Sequence, residues 1–245
     1  MTQDGGQRFA TAAGAMLADP AAEFNIEERL FEPSFWAARG ELTDVTRGRG
    51  SAWFIGTSTR PWALRHYRRG GLIARVVEDR YVWTGEARVR AFAEWRLLAA
   101  LTRRGLPVPQ PIAARYEREG LLYRCDLITR RIPGAVPLSE RLLRAAVPEA
   151  TWRGIGATVA RLHAAGVDHA DLNAHNILLD EADVVSVIDF DRGRLRAPVP
   201  ASWPARNVAR LRRSLEKIAR GLPVARYGAR EWRWFGEGYG GSLSS

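Results

Sequence analysis

The chain has almost no cysteine and almost no lysine. Cys125 is its only cysteine, so no internal disulfide can form, and a reducing compartment is the expected setting. Lys217 is the only lysine among 37 basic residues, so arginine carries nearly all the positive charge. Codon usage can account for that preference, but not for the excess of basic over acidic residues. Long apolar runs are missing too: nothing approaches the roughly 18 consecutive apolar residues of a membrane-spanning helix. The apolar stretch at 10–18 follows MTQDGGQRF, which lacks a cluster of positive charge, so a secretory signal is not expected. There is no internal repeat or heptad run.

What is present starts with charge. The formal net charge is +10, which calls for an anionic partner: nucleic acid, an acidic membrane surface or a phosphorylated substrate. The sign alone does not choose among them. At 245 residues the chain can bury a substantial core, as one domain or as two closely packed lobes.

Strands are expected at 42–45, 52–55 and 62–67, with turns at 47–50 and 57–61. Two helical stretches follow 68–71. The second, 85–104, stops at Gly105 with Pro107 just beyond. A hairpin is expected from 110–116 and 121–129, and helices at 152–165, 203–220 and 226–238. The segment 130–137, with Ile132, Pro133 and Gly134, has the composition of a connector. The expected organisation is therefore a flexible leader at 1–20, an N-terminal lobe at 21–130 and a C-terminal lobe at 131–245. The fold class is α+β, two-lobed, with a small β-rich lobe and a larger, mainly helical one.

The most informative stretch is HADLNAHN at 169–176, which matches the protein-kinase catalytic-loop pattern HxDxxxxN at all three fixed positions. In that pattern the aspartate accepts the proton of the attacking hydroxyl and the asparagine holds a magnesium ion on the nucleotide phosphates. Asp171 and Asn176 occupy those positions. The apolar run 177–179, a polar turn at 180–183 and the run 184–188 read as a hairpin that ends in Asp189, Phe190 and Asp191. Asp189 is thus a second metal ligand, presented beside the first. His169 reads as a structural hydrogen-bonding residue, and His175 likewise.

Upstream, Gly48, Arg49, Gly50 and Ser51 lie between two strands, where glycines let backbone amides approach phosphate oxygens; a tight turn needs the same glycines. Kinases carry a phosphate-binding lysine on the third strand. Here the segment is WALR, with Arg65 at the lysine position and Ala63 at the small position that faces an adenine ring; Arg68 competes with Arg65 for the role. Glu94 shares a helix face with Ala87, Ala91, Leu98 and Leu101, and a carboxylate in an apolar stripe needs a partner. Arg65 is the natural one, and a neighbouring arginine on the helix is the other.

With these pieces in order, the chain resembles the bacterial lipopolysaccharide kinases, and within them the 3-deoxy-D-manno-octulosonic acid (Kdo) kinases. The residues that carry the resemblance are LRHYRRGGLIA at 64–74, LPVPQPIAA at 106–114, HADLNAHNILLD at 169–180 and VIDFDRGR at 187–194. The resemblance implies a protein-kinase-like fold, ATP and Mg2+, and phosphate transfer to a sugar hydroxyl, the 4-hydroxyl, of Kdo on a lipid A precursor. It also implies peripheral association with the anionic cytoplasmic face of the bacterial inner membrane. Carried over, Asp171 is the catalytic base, and Asn176 and Asp189 are the metal ligands. Two departures stand out: Arg65 replaces the kinase lysine, and Asp191 replaces the glycine of DFG, so a DFG-type activation flip is not expected.

On this reading Arg68 and Arg69 approach the acceptor. Trp232, Arg233, Trp234 and Phe235 either touch the membrane interface or pack a C-terminal helix onto its lobe. The competing readings are an aminoglycoside-type phosphotransferase, which so basic a chain disfavours, and a non-catalytic nucleotide- or nucleic-acid-binding protein. The chain carries no motif for base readout, and nucleic acid is not an expected partner.

Overall fold

A computed structural model describes residues 5–20, 25–46, 52–56, 61–68, 79–196, 202–222 and 224–240. It shows a mixed protein with a β-rich sheet and, among the described residues, six α-helices. The chain divides into two compact units: Met1–Arg103 with Pro109–Arg131, and Arg104–Val108 with Ile132–Ser245.

The first unit is built on one antiparallel sheet. Its strands are β1 (Gln7–Ala10), β2 (Gly14–Ala18), β3 (Leu42–Thr46), β4 (Ala52–Ile55), β5 (Trp62–His66), β6 (Tyr81–Val82), β7 (Pro111–Glu119) and β8 (Leu122–Arg130). The order across the sheet is β1-β2-β7-β8-β5-β4-β3, with β6 also on β8. Alternation assigns the faces. Trp62 and Leu64 of β5 are buried with Ile55, Ala113 and Ile128 beneath the 3-10 turn Glu28–Phe31 and helix α1 (Pro33–Ala38). Ala63 and Arg65 point to the other face, against which α2 (Arg90–Arg103) packs through β7 and β8 with Ala91, Phe92, Trp95, Leu98 and Leu101 buried. Each fully buried Leu or Phe contributes about 1.5–3 kcal/mol.

Three expectations need correction. Residues 5–20, the described part of the expected flexible leader at 1–20, are not loose: β1 pairs with β2, and β2 pairs with β7 from Gly14–Glu117 to Ala18–Ala113, with Ala15, Leu17 and Ala18 essentially inaccessible. The segment GAMLA is too short and too rich in small residues to announce itself, and its partner lies about a hundred positions away. The long helix begins at Arg90, not at 85, because Gly85 (φ +104°) and the 3-10 turn Glu86–Arg88 precede it. Of the helical stretch expected after 68–71 and before it, 72–78 lies outside the described residues, and 81–82 is strand.

The second unit contains β9 (Val136–Pro137), α3 (Leu138–Arg144), α4 (Glu149–Ala164), β10 (Val167–Asp168), β11 (Ile177–Leu179), β12 (Val185–Val187), β13 (Arg194–Leu195), α5 (Ser202–Ala219) and α6 (Ala229–Tyr239). Strands β12, β11 and β9 form one small sheet, and β10 pairs with β13. Helices α4 and α6 meet at glycines. A Cβ on Gly156 would lie 2.1 Å from the Phe235 carbonyl oxygen, and one on Gly238 would lie 2.0 Å from that of Arg153. Trp232 and Phe235 stack at 4.8 Å and are buried, so these two rings pack the helix rather than face a membrane interface.

Candidate active site

The loop 169–176 leaves β10 and returns into β11, and buried His169 is its hub. Its Nδ1 accepts the backbone N–H of Asp171 at 3.1 Å. Its Nε2–H donates to the carbonyl of Ile188, the residue before Asp189, at 3.0 Å. The two contacts select one neutral tautomer, and burial agrees by pushing the imidazole below its ordinary 6.5. Phe190 covers the ring at a centroid distance of 4.8 Å.

The circuit closes through Asn176. The Ile188 N–H donates to the Asn176 carbonyl at 2.9 Å, and the Asn176 Nδ2 donates to the Asp171 carbonyl at 2.9 Å. The backbones around Asp171, Asn176 and Asp189 are therefore tied together by hydrogen bonds through one neutral histidine and one buried amide. With Nδ2 committed to the loop, Oδ1 is the atom of Asn176 left to face a cation. Asp189 is half-buried in the left-handed region at φ +64°, a conformation aspartate tolerates better than most side chains. Both side chains carry oxygen atoms, the donor type that a hard cation such as magnesium takes.

Asp171 itself is exposed, with 59 % of its side chain accessible and Arg210 Nη1 at 3.5 Å from Oδ1. At such exposure the attraction contributes about 1 kcal/mol or less. Sequence reading missed the supports of the loop. Asn173 Oδ1 accepts the N–H groups of His175 (2.8 Å) and Asn176 (3.2 Å), while its Nδ2 donates to the Asp171 carbonyl at 3.1 Å. From α5, buried Asn207 accepts the His169 N–H at 2.9 Å and donates to Asp168 at 3.1 Å, and the Ser214 hydroxyl accepts the Ala174 N–H at 3.2 Å. Ser139 of α3 bonds His175 Nδ1 at 2.8 Å. An asparagine two residues after an aspartate is a local turn signal that was available from sequence; Arg210, Asn207 and Ser214, far along the chain, gave none.

In the first unit, Glu94 is 3 % exposed and pairs with Arg65 of β5. The hydroxyl of buried Tyr67 donates to the same carboxylate at 2.6 Å and accepts from Arg65 at 2.9 Å. The Arg65 guanidinium also lies 4.6 Å from the centre of the Tyr67 ring. Burial holds the Tyr67 pKa well above its ordinary 10, so the phenol stays a donor. Tyr67 is the member of this cluster that sequence reading passed over. Ala63 is half-buried on the same face of β5, and Arg68 is exposed beyond the strand. Gly48, Gly50, Ser51 and Arg69 lie outside the described residues.

The opposite face of the sheet carries a second charged network. Asp126, 3 % exposed, accepts Arg115 at 2.9 and 3.0 Å, and lies 2.6 Å from His66 Nδ1; Arg115 also reaches Glu32 at 2.7 Å. The Asp126 hydrogen bond raises the His66 pKa above 6.5. Cys125, its thiol pushed up to about 12 by burial, is no nucleophile.

The model of the family described as "Lipopolysaccharide kinase (Kdo/WaaP) family" matches residues 33–239. A protein of Stenotrophomonas maltophilia (strain K279a) named 3-deoxy-D-manno-octulosonic acid kinase is 48 % identical over 205 residues, 84 % of this chain and 81 % of that protein. Proteins of the same name from Xylella fastidiosa and Photobacterium profundum are 47 % identical over 84 % of the chain and 42 % identical over 90 %, covering 81 % and 92 % of their own lengths. A family match at 33–239 and relatives 42–48 % identical over most of the sequence lead to one conclusion: the chain belongs to the lipopolysaccharide kinase (Kdo/WaaP) family.

Proposed function

We propose that this protein is an ATP-dependent Kdo kinase that phosphorylates a sugar hydroxyl, the 4-hydroxyl, of Kdo on a lipid A precursor. In this reading the two units are the small and large lobes of a protein-kinase-like fold. The observation that carries it is the His169 circuit, which ties together the backbones of Asp171, Asn176 and Asp189.

Asp171 orients the acceptor hydroxyl and takes its proton as that oxygen bonds to the γ-phosphorus; the bond from that phosphorus to the β,γ-bridging oxygen breaks, and ADP leaves. Exposure suits Asp171 to the task, because an acceptor can reach it from solvent. Asn176 Oδ1 and the Asp189 carboxylate would hold magnesium, which when bound neutralises charge on the phosphate chain. Arg65, aligned by Glu94 and Tyr67, would hold the nucleotide phosphates, with Ala63 beside the base and Gly48, Gly50 and Ser51 over the phosphates. Arg68 and Arg69 would approach the acceptor.

Among the described residues no helix is long and apolar enough to cross a membrane. Association with the cytoplasmic face of the inner membrane would be peripheral, aided by the net charge of +10. The test is mass spectrometry of a Kdo-bearing lipid A precursor incubated with protein, ATP and magnesium. The precursor should gain one phosphoryl group on Kdo; an unchanged precursor under conditions that support a homologous Kdo kinase would refute the assignment.

A further inference from the structure

Helix α5 does two things on adjacent faces. One face serves the catalytic loop: Asn207 holds His169 and Ser214 holds Ala174, above a buried seam of Trp203, Val208, Leu211 and Leu215. Beside it runs a row of exposed cations, Arg206, Arg210, Arg213, Lys217 and Arg220. Their spacing of four, three, four and three residues keeps them within about 80° of arc at roughly 100° per residue. Glu216, the only acidic residue of the helix, lies off this row and pairs with Arg212 at 3.0 Å.

Among the described residues, no carboxylate pairs with Arg206, Arg213, Lys217 or Arg220. Arg210 is the member beside Ser214, and its guanidinium is the one that reaches Asp171, at 3.5 Å. Four like charges on one helix, with Arg220 just past its end, repel one another, so the row lowers stability unless an anion answers it. The row passes, at Arg210, the carboxylate that on this reading receives the acceptor hydroxyl. An acceptor of the class proposed above is itself anionic: Kdo is a sugar acid with a carboxylate near its hydroxyls, and a lipid A precursor adds phosphates.

We infer that the cationic row of α5 is the acceptor-binding site: Arg210 takes the anionic group nearest the reacting hydroxyl, and Arg213, Lys217 and Arg206 take the more distant carboxylate and phosphate groups. This deepens the proposed function and rests on Asp171 being the base. Recognition here is by a line of cations on a rigid element, which sets where the acceptor lies without touching the transferring phosphoryl group.

The test uses the full chain carrying Arg213→Gln with Lys217→Gln, two exposed positions that make no ion pair or side-chain hydrogen bond among the described residues, and a deacylated, water-soluble, phosphorylated Kdo oligosaccharide as acceptor, so that no bilayer is present. The KM for acceptor should rise at least about tenfold, equivalent to about 1.4 kcal/mol, while the KM for ATP stays within about twofold. Removing the phosphates from the oligosaccharide should shrink the difference between variant and parent. Neutralising two exposed arginines elsewhere, Arg144→Gln with Arg233→Gln, controls for net charge and should not reproduce the effect.

An unchanged acceptor KM overturns the inference. So does a defect confined to binding vesicles of anionic phospholipid, which would make the row a membrane contact. The underlying reading fails separately: if Asp171→Asn keeps normal turnover, Asp171 is not the base, whatever the row does.

Discussion

The two units handle buried polarity in opposite ways, and their histidines show it most clearly. In the first unit His66 sits in an ionised network with Asp126, Asp79 and Arg115, and its pKa is raised. In the second, His169 and His163 are kept neutral by burial: His169 between two backbone partners, and His163 against the Trp203 and Tyr239 rings with its pKa lowered to about 4. The first arrangement uses paired charges to lock a sheet, as Glu94 does with Arg65 on its other face. The second uses neutral hydrogen bonds to shape a loop whose Asp171 carboxylate is left exposed to solvent. Losing a partner in the first unit therefore strands a charge, whereas losing one in the loop chiefly misplaces a functional group.

The largest effect that would sharpen this contrast is Glu94→Ala. It leaves Arg65 and the Tyr67 hydroxyl without their shared acceptor, and should cost about 3 kcal/mol, read as a lowered midpoint in urea denaturation. A loss under about 1 kcal/mol would mean that the pair is solvated and the contrast is false.

Next is Gly156→Ala, where a methyl would meet the Phe235 carbonyl oxygen at 2.1 Å. The α4–α6 contact must open, at about 2 kcal/mol. Gly154→Ala, with only Val185 at 3.7 Å, is its control and should be neutral or stabilising.

The smallest effect is the pH dependence, where the two units have opposite signs. A raised pKa means that the native state binds the proton more tightly than the unfolded chain. The His66 contribution is fully present below about 6.5 and is lost as pH rises through its folded value. A lowered pKa means the reverse: His163 leaves stability intact above about 6.5 and erodes it as pH falls toward about 4, by on the order of 2 kcal/mol. Thermal melts between pH 7.5 and 5 should therefore decline less steeply for His163→Gln than for the parent, and more steeply for His66→Gln. Parallel curves for all three would remove the distinction.

Much of this was legible in the sequence, and the boundary is physical. Local signals worked: alternation marked β4 and β5, the match at 169–176 marked the loop, and a glutamate in an apolar stripe asked for a basic partner that proved to be Arg65. What escaped depended on distant chain segments. Residues 14–18 become a strand because β7 accepts them, Tyr67 joins Glu94 because β5 and α2 face one another, and Asn207, Arg210 and Ser214 reach the loop because α5 lies across it. None of those partners is set by spacing or composition. The expected choice for Trp232 and Phe235 was resolved in the same way, by α4 and α6 meeting closely at Gly156 of one and Gly238 of the other.

The central claim is that Asp171 acts on the acceptor hydroxyl while its neighbours hold the loop by themselves. The direct measurement is the rate of phosphoryl transfer to a Kdo-bearing acceptor by Asp171→Asn, taken with the unfolding midpoint of the same protein. The rate should fall by about 10³-fold or more, a barrier increase of about 4 kcal/mol, while the midpoint stays near that of the parent because the side chain is exposed. Turnover within about tenfold of the parent, in a protein with that unchanged midpoint, would contradict the claim.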